Sequence, residues 1–469
     1  MSKNTRKLPI IEPFRIKSVE PIRMTTREER EGVLEVAGYN LFGVRAEDVL
    51  IDLLTDSGTS AMSGEQWAAM MRGDESYAGS KSFDRFRDAV REIFGFQEVI
   101  PAHQGRAAEH LLFQSIAGPG QVIPSNTHFD TTRANVEACG ATAIDLPCRE
   151  SADLTSGFPF KGNVDLEALD ACLHEYRGDV PLVLVTITNN AGGGQPVSLQ
   201  NLRGVRELCD RHGTRLYIDA CRFAENAWLV RRREPGKSHC SPRSIAREMF
   251  DLADGCTMSA KKDGLANIGG FLACRDAALA ARVRQIMVVT EGFPTYGGMA
   301  GRDLEAIAQG LREVLDESYL EYRHASIRYV VDRLARRGIP VVLPAGGHAV
   351  FLDALRFLPH LDRSELPGQA LAIELYLEGG IRSCEIGSVM RGAAGKPSRH
   401  ELVRLAIPRR TYTQSHMDYV IEVVASVFER RDDVAGLRIA EAPDVLRHFS
   451  ARFARTNGTL ERRSTCAPQ

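Results

Sequence analysis

Between about residues 60 and 315 the chain alternates short runs that are apolar almost throughout with stretches of helical periodicity. The runs are EVIPA from Glu98, QVIPS from Gln121, TAIDLPC from Thr142, VPLVLVTIT from Val180, RLYIDA from Arg215, GCTMSA from Gly255 and GGFLAC from Gly269. A strand that is apolar on both faces must be covered on both faces, and helices supply the cover. Between the runs, SLQNLRGVRELCDRHG from Ser198 sets Leu199, Leu202, Val205 and Leu208 on one helical face, and Gly213 stops it. Strand alternating with helix predicts an α/β fold with a mostly parallel central sheet. Ligands in such folds collect beyond the carboxyl ends of the strands.

Downstream, the spacing of Leu304, Ile307, Leu311, Val314 and Leu315 predicts one long helix over Arg302–Arg337, leading to a second unit. After Gly338 come IPVVLPAGGHAVFLDA, a helical pattern around Pro367–Glu378 and a strand ending at Ile407, the marks of a smaller α+β domain. The expected division is 1–57 as an N-terminal arm and part of the small domain, 58–315 as the large domain, 316–455 as the small C-terminal domain, and 456–469 as a disordered polar tail. With 59 basic against 61 acidic residues, net charge −2, there is no electrostatic case for nucleic acid or an anionic membrane surface. No stretch approaches the ~20 apolar residues of a membrane helix, and the charged N-terminus lacks a signal-peptide core. Ten scattered cysteines, without a C-x-x-C pair or zinc-finger spacing, point to free thiols in a reducing cytoplasm.

Three strings lie where the fold would gather a ligand. In EVIPAHQGRAAEHLL a strand runs through Gln104-Gly105-Arg106 into a helix, whose first N–H groups and dipole favour an anion. RLYIDACRF ends a strand on Asp219 with Arg222 three residues on, either a structural ion pair or an acid that faces a pyridinium nitrogen. CTMSAKKDG follows a strand with Lys261 and Lys262, either a solvated pair or the source of a Schiff-base amine. Anion turn, acid and amine, in that chain order, point to pyridoxal 5'-phosphate.

The sequence resembles the β-eliminating lyases, from EPFRIKSVEP near Glu12 to VLRHFSARF ending at Phe453. The strings that carry the resemblance are IDLLTDSGT, MMRGDESYAGS, HQGRAAE, FDTTR, GGQPVSL, MSAKKD, EGFPTYGG, GGHAVFLDA and IPRRTYTQSHMD. The resemblance implies the aspartate-aminotransferase type of fold (fold type I), pyridoxal phosphate, a homotetramer with active sites shared between subunits, and activation by a monovalent cation such as K+. It assigns Lys262 the Schiff base, with Lys261 beside it. It gives the phosphate to Gln104, Gly105, Arg106 and Ser259, ring stacking to Phe129 and the pyridine nitrogen to Asp219. Asn190 and Arg222 fall near the cofactor's phenolic oxygen and the substrate. Arg409 is expected to clamp the substrate carboxylate, with Thr55 and Ser57 nearby. Tyr77 is expected to act from the neighbouring subunit, and Glu75, Gly58 and Asn267 to hold the cation.

The family has an indole-releasing and a phenol-releasing branch, and three positions separate them. Ile386, in SCEIGS, stands where the phenol branch has an arginine; Asp130 stands where it has threonine; His448 stands where it has phenylalanine. All three favour elimination of L-tryptophan to indole, pyruvate and ammonia, with L-tyrosine to phenol as the alternative. Asp130 and His448, with Tyr77, are the expected carriers of the leaving group's proton. An aminotransferase would leave Tyr77 and the cation strings unused, and a non-catalytic binding protein would not need Lys262. The chain departs from the family at Ala107, Cys221 and His128, and its short turn IAGPGQVIPSN lacks an insertion seen in part of the indole branch and resembles the phenol branch.

Overall fold

The computed structural model describes residues 10–391, 398–443 and 445–456; the expected disordered tail lies, from residue 457, outside the described residues. Seven strands form the main sheet: β1 (Glu98–Ala102), β2 (Val122–Ser125), β3 (Thr142–Asp145), β4 (Leu182–Thr186), β5 (Arg215–Asp219), β6 (Gly255–Ser259) and β7 (Gly270–Cys274). Their spatial order is β1-β7-β6-β5-β4-β2-β3. Strands β2 to β6 pair in parallel, and β7 is antiparallel to both β1 and β6. Each of the seven apolar runs is a strand, as the sequence predicts. The reason is visible in β4, where Leu182 and Leu184 enter one hydrophobic cluster while Val183 and Val185 enter the other. Phe271 and Ala273 of β7 alternate with Leu272 and Cys274 in the same way. Fully burying one large aliphatic side chain stabilises by about 1.5–3 kcal/mol, and here both faces contribute.

Helices follow the carboxyl ends of these strands. α1 (Gly105–Ile116) follows β1, α2 (Asp130–Ala138) follows β2, α3 (Leu199–His212) follows β4 and α4 (Phe223–Arg233) follows β5. The Ser198 side chain caps α3 by accepting from Asn201 N, and Gly213, at φ +69°, ends it. The single helix expected over Arg302–Arg337 is instead two, α5 (Gly301–Glu313) and α6 (Glu317–Arg336). Asp316 accounts for the break, since its carboxylate accepts from Tyr319 N as the cap of α6, and a capped start interrupts the helix before it.

The second hydrophobic cluster joins the two ends of the chain. Leu34, Leu41, Leu50 and Leu53 pack with residues running from Ile327 to Phe453. Ile51 and Asp52 pair in parallel with Ile381 and Arg382. Beside them lie an antiparallel sheet of β8 (Ala349–Asp353), β9 (Cys384–Ile386) and β10 (Leu402–Ala406), in the order β9-β10-β8, and α7 (Pro367–Gly379). In that sheet Arg404 sits in register with Cys384 on one side and Phe351 on the other. No helix among the described residues is long and apolar enough to cross a membrane.

Candidate active site

A cavity of about 250 Å³ opens beyond the carboxyl ends of the central strands. Its floor is the turn from β1 into α1. A Cβ on Gly105 would stand 2.6 Å from Ser259 Cβ and 2.9 Å from Ser259 Cα, so only glycine lets α1 begin this close to β6. Gln104, Arg106, Ser259, Lys261 and Lys262 line the same space, so two side-chain ammonium groups and one guanidinium gather round the N-terminus of α1. Burial, then Lys262 and Arg106, lower the Lys261 pKa. Asp219, at the end of β5, is buried and accepts from Cys221 N at 3.2 Å. Thr186 Oγ1, on the wall, is buried without a hydrogen-bond partner among the described residues. This set fits pyridoxal phosphate: an amine for its aldehyde, a carboxylate for its ring nitrogen, an anion cradle for its phosphate and the Phe129 ring to stack on.

One side of the cavity is aromatic. Asp130, the first residue of α2, has Oδ2 2.9 Å from His448 Nε2, and both side chains are almost fully buried. The His448 ring lies tilted against Phe449, centroids 3.9 Å apart, and Phe42 meets both rings edge-on. Asn40 Nδ2 donates to His448 O at 3.1 Å and so fixes the C-terminal segment against the N-terminal one. Glu109 also lines the cavity and accepts from Thr132 Oγ1 at 2.8 Å. Burial, reinforced by the negative charge of Asp219, pushes its carboxyl up to about 8.

Two arginines five residues apart have opposite surroundings. Arg404, on β10, lines the cavity and, among the described residues, donates to neutral acceptors, Leu54 O at 2.9 Å and Asn190 Oδ1 at 3.1 Å. His348 Nε2 lies 2.8 Å from the same Asn190 oxygen. Burial first, then Arg222, holds His348 well below the usual imidazole range, so it meets Asn190 as a neutral donor. Arg409 is not on the cavity wall. It is completely buried and bonds Asp56 at 2.9 Å, Glu225 at 2.9 Å and Asp263 at 2.8 Å. A guanidinium held by three carboxylates has no room for a fourth, so the carboxylate clamp expected of Arg409 does not fit its position.

The other expected residues divide. Thr55, Ser57, Phe129, Asn190 and Arg222 line the cavity with those already named. Ile386 does not; it packs behind the wall with Cys384, Phe351 and Leu402. Tyr77 is exposed on this chain, where its ring lies against Phe293 and Tyr296. Asn267 Nδ2 donates to Gly58 O at 3.0 Å, but Glu75 is elsewhere, accepting from Gly301 N and Arg302 N at the start of α5. Of the departures, Cys221 Sγ accepts from Ser259 N at 3.3 Å, Ala107 is buried in the second sheet cluster, and His128 is bound to Asp145. Sequence reasoning missed Arg404, Phe42 and Phe449 in the wall. Only Arg404 left a signal, as the one charge in the otherwise apolar strand LVRLA.

A family model described as "Beta-eliminating lyase" matches residues 52–423. Among curated proteins, the Tryptophanase of Hyphomonas neptunium is 61% identical over 450 residues, covering 95% of this chain and 99% of that one. The Tryptophanase of Rhodobacter capsulatus is 58% identical with the same coverage. The Tyrosine phenol-lyase of Intrasporangium calvum is 53% identical and covers 95% of each chain. Among solved structures, the Sphingomonas wittichii serine palmitoyltransferase matches with a TM-score of 0.61 at 14% identity, covering 87% of this chain and 97% of that one, a likeness of fold.

Proposed function

The chain belongs to the beta-eliminating lyases, and on that premise we propose that it cleaves L-tryptophan to indole, pyruvate and ammonia. It is a pyridoxal-phosphate lyase of fold type I. The observation that carries the indole reading is the contact of Asp130 with His448 inside an aromatic wall. An indole leaves as a neutral molecule only once its ring carbon is protonated, and a carboxyl–imidazole pair beside an apolar slot can deliver that proton. Ile386, behind the slot, supports the same reading, since it adds apolar bulk and offers no donor to a phenol oxygen.

Bound through Lys262, pyridoxal phosphate supplies the sink for electrons released at the substrate's α-carbon. The chain's own groups do the rest. Arg404, with no carboxylate partner of its own among the described residues, takes the substrate carboxylate beside Thr55 and Ser57. The Lys262 amine, released once the substrate amine takes its place, removes the α-proton. Asp130 and His448 move the proton of the leaving ring, and Tyr77 serves as a second carrier in the site of a neighbouring subunit. That sharing supports a homotetramer. Glu75 of one subunit with Gly58 and Asn267 of another would give a monovalent cation, most simply K+, the oxygen ligands a hard ion takes. Nine free cysteines among the described residues suit a reducing cytoplasm.

Indole and phenol release from L-tryptophan and L-tyrosine, measured side by side on one preparation, tests the reading. Indole at least tenfold faster is expected, and phenol as the faster product overturns it. The pair Ile386→Arg with Asp130→Thr should depress indole release; unchanged turnover of tryptophan counts against the assignment of both residues.

A further inference from the structure

At and behind the cavity wall six charged side chains form one cluster. Arg222, Arg323 and Arg409 face Asp56, Glu225 and Asp263, three of each sign and none more than 4% exposed. Asp56 takes both prongs of Arg222, at 3.0 and 2.7 Å, as well as Arg409. Glu225 Oε1 accepts from Arg323 and Arg409. Asp263 gives one oxygen to Arg409 and the other to Ala224 N and Glu225 N, so it also caps α4. Burial acts to raise Asp56, but Arg222 and Arg409 help hold its carboxyl well below the usual range.

Each anion is tied through the chain to a cavity residue. Asp56 lies between Thr55 and Ser57, Asp263 follows Lys262, and Glu225 lies one helical turn beyond Arg222. These segments belong to distant parts of the sequence, and among the described residues Arg409 alone bonds all three anions. We propose that Arg409 is a positioning residue: by tying Asp56, Asp263 and Glu225 to one guanidinium it sets the spacing of the Thr55–Ser57 loop, Lys262 and Arg222 around the substrate, without touching it. The planar fork matters, because its two NH2 groups reach anions on different sides; a lysine ammonium is a single point of charge on a flexible stem. A substrate carboxylate at Arg409 would displace one of these anions and leave it buried with one partner fewer.

The inference rests on the reading of the cavity as a site for an amino acid on pyridoxal phosphate. The test uses the full-length, cofactor-loaded protein with Arg409→Lys, the charge-balanced pair Arg409→Gln with Asp263→Asn, and Arg404→Lys as comparator. Binding of L-tryptophan and of tryptamine, which lacks the carboxylate, is read from the cofactor's absorption; cofactor affinity and kcat and KM are measured alongside. Both Arg409 variants are expected to change the two affinities by the same factor, keep KM within about threefold, lower kcat about tenfold or more, and weaken cofactor binding about fivefold. Arg404→Lys should lose tryptophan about tenfold and leave tryptamine unchanged. A loss confined to the carboxylate-bearing ligand in the Arg409 variants overturns the proposal, as do wild-type kcat and cofactor affinity in the charge-balanced pair, which keeps the cluster neutral should the lysine variant fail to fold. A wild-type protein that binds no pyridoxal phosphate would instead sink the reading of the site.

Discussion

The cavity wall and the cluster behind it are built from the same residue types and differ in what their charges are bound to. On the wall, Arg404 donates to a carbonyl and an amide, and Thr186 Oγ1 has no partner among the described residues. In the cluster, Arg409 has three carboxylates within 2.9 Å. A positive group whose neighbours are neutral still has its charge to offer a ligand; one already neutralised in a dry interior has only its geometry to offer. The boundary between the regions falls between adjacent residues, with Lys262 in the cavity and Asp263 in the cluster.

That contrast can be broken experimentally, beginning at the boundary. Lys262→Ala should lower turnover at least about a thousandfold and abolish the absorption band of a covalently held cofactor, while leaving the melting temperature of the cofactor-free protein within a few degrees. Arg409→Met should act most strongly on stability, costing about 3–5 kcal/mol in urea unfolding because three buried anions lose a partner. Arg404→Met should cost less than about 1 kcal/mol of stability and raise KM for tryptophan about 30- to 150-fold, a loss of about 2–3 kcal/mol in binding. Were Arg404→Met the more destabilising of the two, the distinction drawn above would collapse. Next in size, Asp130→Asn and His448→Phe should each lower kcat for tryptophan by at least about a hundredfold with little change in KM, and the double variant should be no worse than the poorer single one if they move one proton together.

The smallest effect concerns Glu109, which belongs to the wall yet is buried like the cluster. Its carboxyl, ordinarily at 4.5, is raised to about 8, so the folded state holds a proton that the unfolded chain releases. The stability this group contributes is fully present below about 4.5 and is lost as pH rises toward 8, with a slope of about 1.4 kcal/mol per pH unit inside that window. Glu109→Gln should flatten the fall in melting temperature between pH 5 and 8; an unchanged profile would mean that Glu109 is ionised in the fold.

The sheet was legible in the sequence because strands buried on both faces have nowhere to put a polar residue, as β4 and β7 show. The break at Asp316 was not, since the apolar spacing from Leu304 to Leu315 continues a helical face up to it and only the capping bond marks the boundary. The cofactor cradle was legible because Gly105, Asp219 and Lys262 each lie at or just beyond the end of a recognisable strand. The clamp was misread for a reason of the same kind. Arg404, Arg409 and Arg410 lie within seven residues, and side-chain direction along β10 and its exit depends on pairing with β8 and β9, which no local pattern records. Phe42 and Phe449 left no local signal at all, being ordinary aromatics at opposite ends of the chain.

Those two rings bear on how the protein is made. The Asn40 side chain bonds the carbonyls of His448 and Ala451, and Phe42 packs on Phe449. A chain made only as far as the last strand of the main sheet contains the Gly105 turn and the lysine but not the residues that close the aromatic side. The pocket for the leaving group therefore cannot be complete until the segment around Phe449 has been made and has docked on the segment around Phe42.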